Sequence, residues 1–369
     1  MNYQVLNSYF QKSNISIAEM REKVSPNFNQ FLSGEKEPTY NQLVKIAKQL
    51  DIPVGLLLIN KSVSKPIPEL KFRTINSDHL ANPSNYLLDT INETKEKQIF
   101  LRSQIEDQLD FIGKFSIKEN YLTVADSIRN RLFLEKTYYK SIKRSNQFNF
   151  LRNKINELGV FVFLNGKVKD NPRKKLNLRE FRGFVLSDRK APIIFINQQD
   201  DLNGRIFTLI HELTHLFING DDEILGSQSL DREFDKTEAF VNRVTAEILV
   251  PNDDFLNECQ ANKNIDVLSG KFKVSRFVIA RRLLDNNFIS HAEYKKIIAK
   301  LMKSYEEHKK RERQQKKDGG NYKNNLKFRI DKMFINYVEN ALNNQQISFT
   351  DAYNIIGVGY KGYKYLTEG

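Results

Sequence analysis

The sequence predicts a mainly α-helical chain with one small β-sheet, which is an α+β class, preceded by an all-helical N-terminal domain. Three observations predict this class. Helix-capping signals recur in the first sixty residues, apolar residues recur at helical spacing through much of the rest, and three short runs of β-type residues lie between residues 159 and 197. Because 369 residues exceed the usual size of one hydrophobic core, we expect two or three domains.

The composition restricts the kind of protein and the kind of metal site. No apolar run approaches the roughly 20 residues that span a bilayer, and no signal peptide begins at Met1, so we expect a soluble cytoplasmic protein without a membrane partner. Cys259 is the single cysteine, so any metal site within the chain has to use histidine and carboxylate ligands. The formal charge of +13 favours polyanionic partners, nucleic acid first and acidic protein surfaces second.

Residues 1–60 are predicted to form about five short helices. Ser16 with Glu19, and Thr39 with Gln42, fit the capping box that satisfies the free N–H groups of a first helical turn. Between them, Ser25-Pro26 fits an N-cap followed by proline at the first helical position.

The second and third of these helices, at 16–24 and 26–32, are followed by SGEKEPT at 33–39 and resemble the helix-turn-helix domain of the phage-repressor type. That resemblance implies DNA binding through the start of the third helix. The stretch between Val24 and Gly34 carries no Arg or Lys, which leaves Asn27, Asn29 and Gln30 to read bases. The alternative is a domain used for protein contact or dimerisation.

Two segments follow for which the sequence indicates no chemistry. Residues 61–84 contain a linker-like SVSKPIP and the start of the next unit. Residues 85–158 form a helical, strongly charged segment. Its predicted buried stripe consists of Ile99, Leu101, Ile105, Leu109 and Ile112.

The three β-type runs are expected at 159–164, 181–186 and 192–197, where they would form a small sheet. A helix should follow Asp200-Asp201, with a wide apolar stripe and a stop at Asn219-Gly220. The sheet therefore directly precedes this helix.

This helix carries the pattern HExxH. His211 and His215 lie about one turn apart, so both rings can reach a single ion at about 2.1 Å. Glu212 is offset around the helix, which places its carboxylate beside the ion rather than among its ligands. The alternative interpretation is a pair of partly buried helix histidines with a solvated glutamate.

A catalytic metal of this kind usually takes a third protein ligand, and Glu238 is the best candidate. A helix predicted to begin at Thr237 and to end at Pro251 carries it, and the intervening loop is long enough to fold that helix back. Asn242, one turn later, can orient a ligand histidine. The alternative is that Glu238 is a charged residue in a first helical turn, favoured by the helix dipole.

Residues 207–215 (FTLIHELTH) together with 238–251 (EAFVNRVTAEILVP) resemble the ImmA/IrrE family of metallo-endopeptidases. Thr214 replaces the glycine that is common in that family. The resemblance covers a domain at 159–300 and implies a zincin-like fold, one zinc ion bound by His211, His215 and Glu238, and Glu212 as the general base. The implied reaction is peptide hydrolysis.

The resemblance also implies a regulatory endopeptidase that cleaves a specific protein partner, such as a DNA-bound repressor. Metal binding without turnover is the alternative. In that case the chain would be a helix-turn-helix transcription regulator, or an antitoxin that binds a partner toxin, with the zinc domain as a non-cleaving scaffold.

The remaining chain suggests no further chemistry. Residues 265–284 have the rhythm of two helices joined by a turn, with Arg281 and Arg282 predicted to be exposed. A basic linker is expected at 301–320 and a small helical tail at 321–369, whose tyrosines pack a core or dock a partner.

Overall fold

A computed structural model describes residues 3–11, 13, 15–50, 52, 54–58, 83–218, 230–314 and 321–368. Helices dominate the described residues, and three strands form one sheet, so the predicted mainly α class with a small sheet is confirmed. Contacts divide the chain into two compact units, residues 1–69 with 80–92 and residues 70–79 with 93–369. Among the described residues, no helix combines the length and the apolar character needed to cross a membrane.

The first unit contains a bundle of short helices around a small apolar core that includes Leu6, Met20, Phe28 and Phe31. Its helices are α1 (Tyr3–Gln11), α2 (Ile17–Lys23), α3 (Phe28–Ser33) and α4 (Tyr40–Leu50), followed by a short 3-10 helix (Val54–Leu57).

The helix starts in this unit agree with the capping signals, with one difference. Ser16 and Glu19 form the predicted capping box, and the Gln42 N–H donates to Thr39 Oγ1 at 3.3 Å. The prediction that the third helix begins at Pro26 is wrong, because the Ser25 hydroxyl accepts from the Asn27 N–H and closes a turn first. The linker-like segment predicted at 61–84 lies outside the described residues except for residues 83 and 84.

From Asn85 onward the described helices are α5 (Asn85–Gln104), α6 (Tyr121–Arg131), α7 (Tyr138–Ser141), α8 (Gln147–Glu157), α9 (Leu202–Ile218), α10 (Leu230–Leu249), α11 (Asn252–Ala261), α12 (Ile265–Phe272), α13 (Arg276–Asp285), α14 (His291–Gln314), α15 (Tyr322–Arg329), α16 (Lys332–Asn343), α17 (Phe349–Ile356) and α18 (Tyr360–Thr367). The strands are β1 (Phe161–Asn165), β2 (Gly183–Leu186) and β3 (Ile193–Asn197).

The sheet has the order β1-β3-β2, with β1 parallel and β2 antiparallel to β3. Side chains of successive residues point to opposite faces. Val162 and Ile194 join the large core that α9 and α10 complete, whereas the Phe163 ring lies 5.1 Å from the ring of Phe334 in α16. The sheet is therefore covered on both faces.

Side chains cover the outer edge of β1. The Val162 N–H donates to Asp331 Oδ2 at 2.8 Å, and the Val162 carbonyl accepts from Arg152 at 2.6 Å. Asp331 is fully buried and also caps the start of α16. The C-terminal helices, which the sequence sets apart as a tail, thus pack on the sheet and close one of its edges.

The solvent exposure of two side chains differs from the prediction. Ile99 is 67% exposed, while Leu101 and Ile112 are buried as expected. Arg282 is buried, not exposed, because it pairs with Glu247 at 2.6 Å. The first part of the predicted basic linker, residues 301–314, continues α14 as helix.

Candidate metal centre

Helix α9 fixes the two histidines of the predicted motif. Its apolar side chains, Leu209 and Leu213 among them, are fully buried in the large core and hold the helix in place. His211 and His215 lie one turn apart, both are buried, and their Nε2 atoms approach to 3.2 Å. The same nitrogen of each ring is therefore directed at one point.

Helix α10 brings a carboxylate to the same point. Glu238 Oε1 lies 3.0 Å from His215 Nε2, and Glu238 Oε2 lies 3.2 Å from His211 Nε2. The helix begins at Leu230, earlier than the predicted Thr237, so Glu238 lies two turns inside it. A favourable helix dipole in the first turn therefore does not explain the position of Glu238.

The three donors fit a metal ion. With metal–ligand bonds of about 2.1 Å, the ligand atoms of a tetrahedral site lie about 3.4 Å apart. The two histidine nitrogens lie 3.2 Å apart, each lies 3.0 or 3.2 Å from a different oxygen of Glu238, and with one ligand atom per residue the three buried donors lie within 4.8 Å of one another. These separations leave room for an ion between the donors after a small expansion.

The charge state of Glu238 suits the same purpose. Burial by itself would raise the pKa of this carboxyl, but His211 and His215 oppose burial through their charge and hydrogen bonds and hold the pKa well below its ordinary value. An ion bound here would take the place of the histidine protons, so the donors are an ionised carboxylate and two deprotonated ring nitrogens.

Glu212 faces another neighbour, the first residue of β2. It is only 2% exposed, and a Cβ built on Gly183 would lie 3.4 Å from Glu212 Oε1. The side chain thus lies between α9 and the sheet, on the residue that follows His211 along the helix. Its role as general base stays a prediction.

Asn242 lies one turn after Glu238 and is half-buried. The hydrogen bonds found among the described residues include none from its side chain to a histidine ring. Its role in orienting a ligand stays a prediction. Of the remaining histidines, His291 is exposed at the start of α14, and His79 and the side chain of His308 lie outside the described parts.

The sequence interpretation missed two residues at the site, Gly183 and Phe207. The Phe207 ring lies 6.1 Å from the His211 ring, one turn earlier on α9. A signal for Gly183 was available, because a glycine inside a strand often marks a close approach of another element.

The candidate base-reading residues lie in the first unit. Asn27 is the N-cap residue of α3 and is half-buried, whereas Asn29 and Gln30 are exposed on that helix. Exposed amides are available to a ligand, and DNA binding stays a prediction.

In this domain a small sheet precedes the helix that carries HExxH, and a second helix adds a glutamate next to the two histidines. Residues 156–284, from the end of α8 to α13, match the family model described as the IrrE N-terminal-like domain of peptidase family M78. The match supports a metallopeptidase domain of the ImmA/IrrE type within this chain. Comparison with curated proteins and with solved structures gave no match.

Proposed function

We propose that this chain is a zinc-dependent endopeptidase in which His211, His215 and Glu238 hold one zinc ion. The observation that carries the proposal is the convergence of three buried donors within 4.8 Å of one another. Two imidazoles and one carboxylate are a donor set typical of catalytic zinc, which keeps a further position open.

Glu212 is the proposed general base. When bound, zinc supplies Lewis-acid polarisation of the scissile carbonyl and lowers the pKa of water. Glu212 follows His211 on α9 and is not one of the three clustered donors, so its carboxylate is free to take the proton of the attacking water and pass it to the leaving amine.

The outer edge of β2, which pairs with no further strand among the described residues, is the proposed binding site for the substrate backbone; Gly183 is buried there and Val185 is half-buried. The Asn197 N–H donates to the Arg182 carbonyl at 2.8 Å, so the alternation of an antiparallel pair turns the backbone groups of Gly183 and Val185 away from β3. Within the described residues these groups have no hydrogen bond, whereas the β1 edge is covered. An extended peptide can add there as a strand, next to Glu212.

The proposed substrate is a specific regulatory protein, such as a DNA-bound repressor. Two observations support this class: the match to the IrrE-like family and the formal charge of +13, which favours nucleic acid and the proteins bound to it. The proposed location is the cytoplasm.

Glu212→Gln tests the activity. The variant should retain about one zinc ion per chain by elemental analysis, because Glu212 is not a donor, and should lose cleavage of the proteins encoded by neighbouring genes. Glu157→Gln changes an exposed glutamate, 62% exposed, and should cleave like the wild type. Full cleavage by the Glu212 variant would mean that the peptidase role is wrong.

A second candidate function is a DNA-binding regulator or an antitoxin that sequesters a toxin, with the zinc domain as scaffold. It is favoured by the first unit, which has its own core and exposes Asn29 and Gln30 on α3. Asn29→Ala with Gln30→Ala should then abolish binding to the promoter DNA of the chain's own gene, measured by fluorescence anisotropy. If the chain is a peptidase that does not bind DNA through α3, these substitutions change neither DNA binding nor cleavage.

A further inference from the structure

β2 makes its closest approach to α9 at Gly183. A Cβ built on this residue would lie 2.5 Å from Thr208 Cγ2, 2.9 Å from the Phe195 carbonyl oxygen and 3.4 Å from Glu212 Oε1. Thr208 is fully buried and lies one turn before Glu212 on the same helix. The contact therefore joins the strand edge to the turn of α9 that carries the glutamate.

Space, not backbone conformation, explains the glycine. Gly183 is not among the glycines with a left-handed backbone. Phe195 belongs to the central strand and contacts Gly183 through its backbone, so that atom cannot move aside as a flexible side chain can. A glycine weakens a strand because it has no side chain to pack, and it often marks a place where another element approaches the strand closely. The short distances to Thr208 and Phe195 show such an approach here.

We propose that Gly183 is a positioning residue, which sets the distance between the β2 edge and the Glu212 carboxylate through its contact with Thr208. This proposal rests on the proposed peptidase function. If a peptide lies along the outward backbone groups of Gly183 and Val185, the distance between β2 and α9 at Gly183 and Thr208 determines how far the scissile bond lies from Glu212. A side chain at 183 would push the edge away from α9.

Gly183→Ala tests the proposal directly. A displacement of about 1 Å in the reacting groups can lower the rate about 100-fold, so we expect a loss of that order in kcat/KM, mostly in kcat. Zinc content should stay at the wild-type value, because the three atoms nearest to the added Cβ belong to Thr208, Phe195 and Glu212 and to none of the three donors. The kcat/KM and the zinc content are both measured on the whole 369-residue chain. The substrate is the protein that the wild type cleaves in the Glu212→Gln experiment.

Thr208→Ser supplies a rescue. Serine keeps the hydroxyl and removes Cγ2, the atom at 2.5 Å. The kcat/KM of the double variant Gly183→Ala with Thr208→Ser should therefore be about tenfold or more above that of Gly183→Ala alone. Only the contact with the Phe195 carbonyl remains tight in that variant. A general loss of stability would not be repaired by removing a methyl group, which would weaken the core further.

Two glycines provide matched controls. Gly270→Ala lies in α12, where an added Cβ meets nothing within 4 Å, and should leave Tm and activity unchanged or raise Tm. Gly362→Ala in α18 places a Cβ 2.9 Å from Val358 Cβ, so it should lower Tm by overpacking and leave kcat/KM unchanged.

The outcomes separate the two proposals. A zinc-loaded wild type that cleaves none of the candidate proteins overturns the proposed function and this inference with it. An active wild type whose Gly183→Ala variant is equally active, or whose loss the Thr208→Ser change does not reduce, overturns this inference alone.

Discussion

Helix α10 carries two buried glutamates whose surroundings differ. Glu247 accepts from Arg282 at 2.6 Å and from the Asn252 N–H at 3.1 Å, and lies 3.5 Å from Arg129. Glu238 lies 3.0 and 3.2 Å from two histidine rings. The two carboxylates are equally inaccessible, 4% and 7% exposed, so burial alone does not tell a structural acid from an acid of the candidate metal centre.

The difference lies in the partners. Arginine is always protonated and has only donors, so Glu247 is neutralised by permanent cations that cannot ligate a metal. Imidazole is largely neutral near pH 7 and then carries a lone pair on one ring nitrogen. Glu238 and its histidines therefore form a group that an ion can complete. Glu247 instead joins α10 to α6 through Arg129 and to α13 through Arg282.

The largest effect on folding is expected from Glu247→Gln. Losing the anion leaves Arg282 buried without its counter-charge, whereas Arg129 keeps Asp126 at 2.8 Å, and breaking a buried pair such as Arg282–Glu247 costs about 3–5 kcal/mol. The measurement is urea-induced unfolding of metal-free protein, with Glu157→Gln as an exposed control. A loss below about 1 kcal/mol would show that the cluster does not stabilise the domain, since that is the scale of surface pairs.

Glu238→Gln should show the opposite pattern. Stability without metal should change less than in Glu247→Gln, because no permanent cation is left unpaired. Zinc at about 1,000 times its Kd stabilises a protein by about 4 kcal/mol, so the wild type should gain that amount, and the variant should lose most of it. Urea unfolding with and without zinc measures this difference. Equal zinc stabilisation of wild type and variant would exclude Glu238 as a ligand.

The same contrast explains how much of the site the sequence predicted. His211 and His215 follow from helix geometry, which places residues four apart on one face, and α9 confirms their juxtaposition. The pairing of Arg282 with Glu247 was missed because the two residues are 35 positions apart, and no periodicity relates them. Arg281 and Arg282 look alike in sequence, yet they point in directions about 100° apart around the helix.

The fold shows the same limit. The three strands and α9 follow from local patterns, and the structure places them within about two residues of the predicted bounds. The packing of the C-terminal helices on the sheet depends on Asp331, which binds the Val162 backbone 169 positions earlier in the chain. Gly183 likewise acquires its meaning only from the side chain of Thr208 that packs against it.

The smallest effect is expected from Asn242→Ala. Residues that orient metal ligands typically contribute 10–100-fold in metal affinity, and Asn242 makes no hydrogen bond to a histidine ring among the described residues, so we expect a loss of about tenfold, the low end of that range. Competition with a zinc chelator measures the affinity, and Lys236→Ala, an exposed change on the same helix, is the control. Because Asn242 is half-buried and has no ion pair within the described part of the chain, its loss should leave the stability of the metal-free protein nearly unchanged. An unaltered zinc affinity would mean that Asn242 does not orient a ligand. Zinc binding by α10 would then depend on Glu238, while Glu247 serves the stability of the domain.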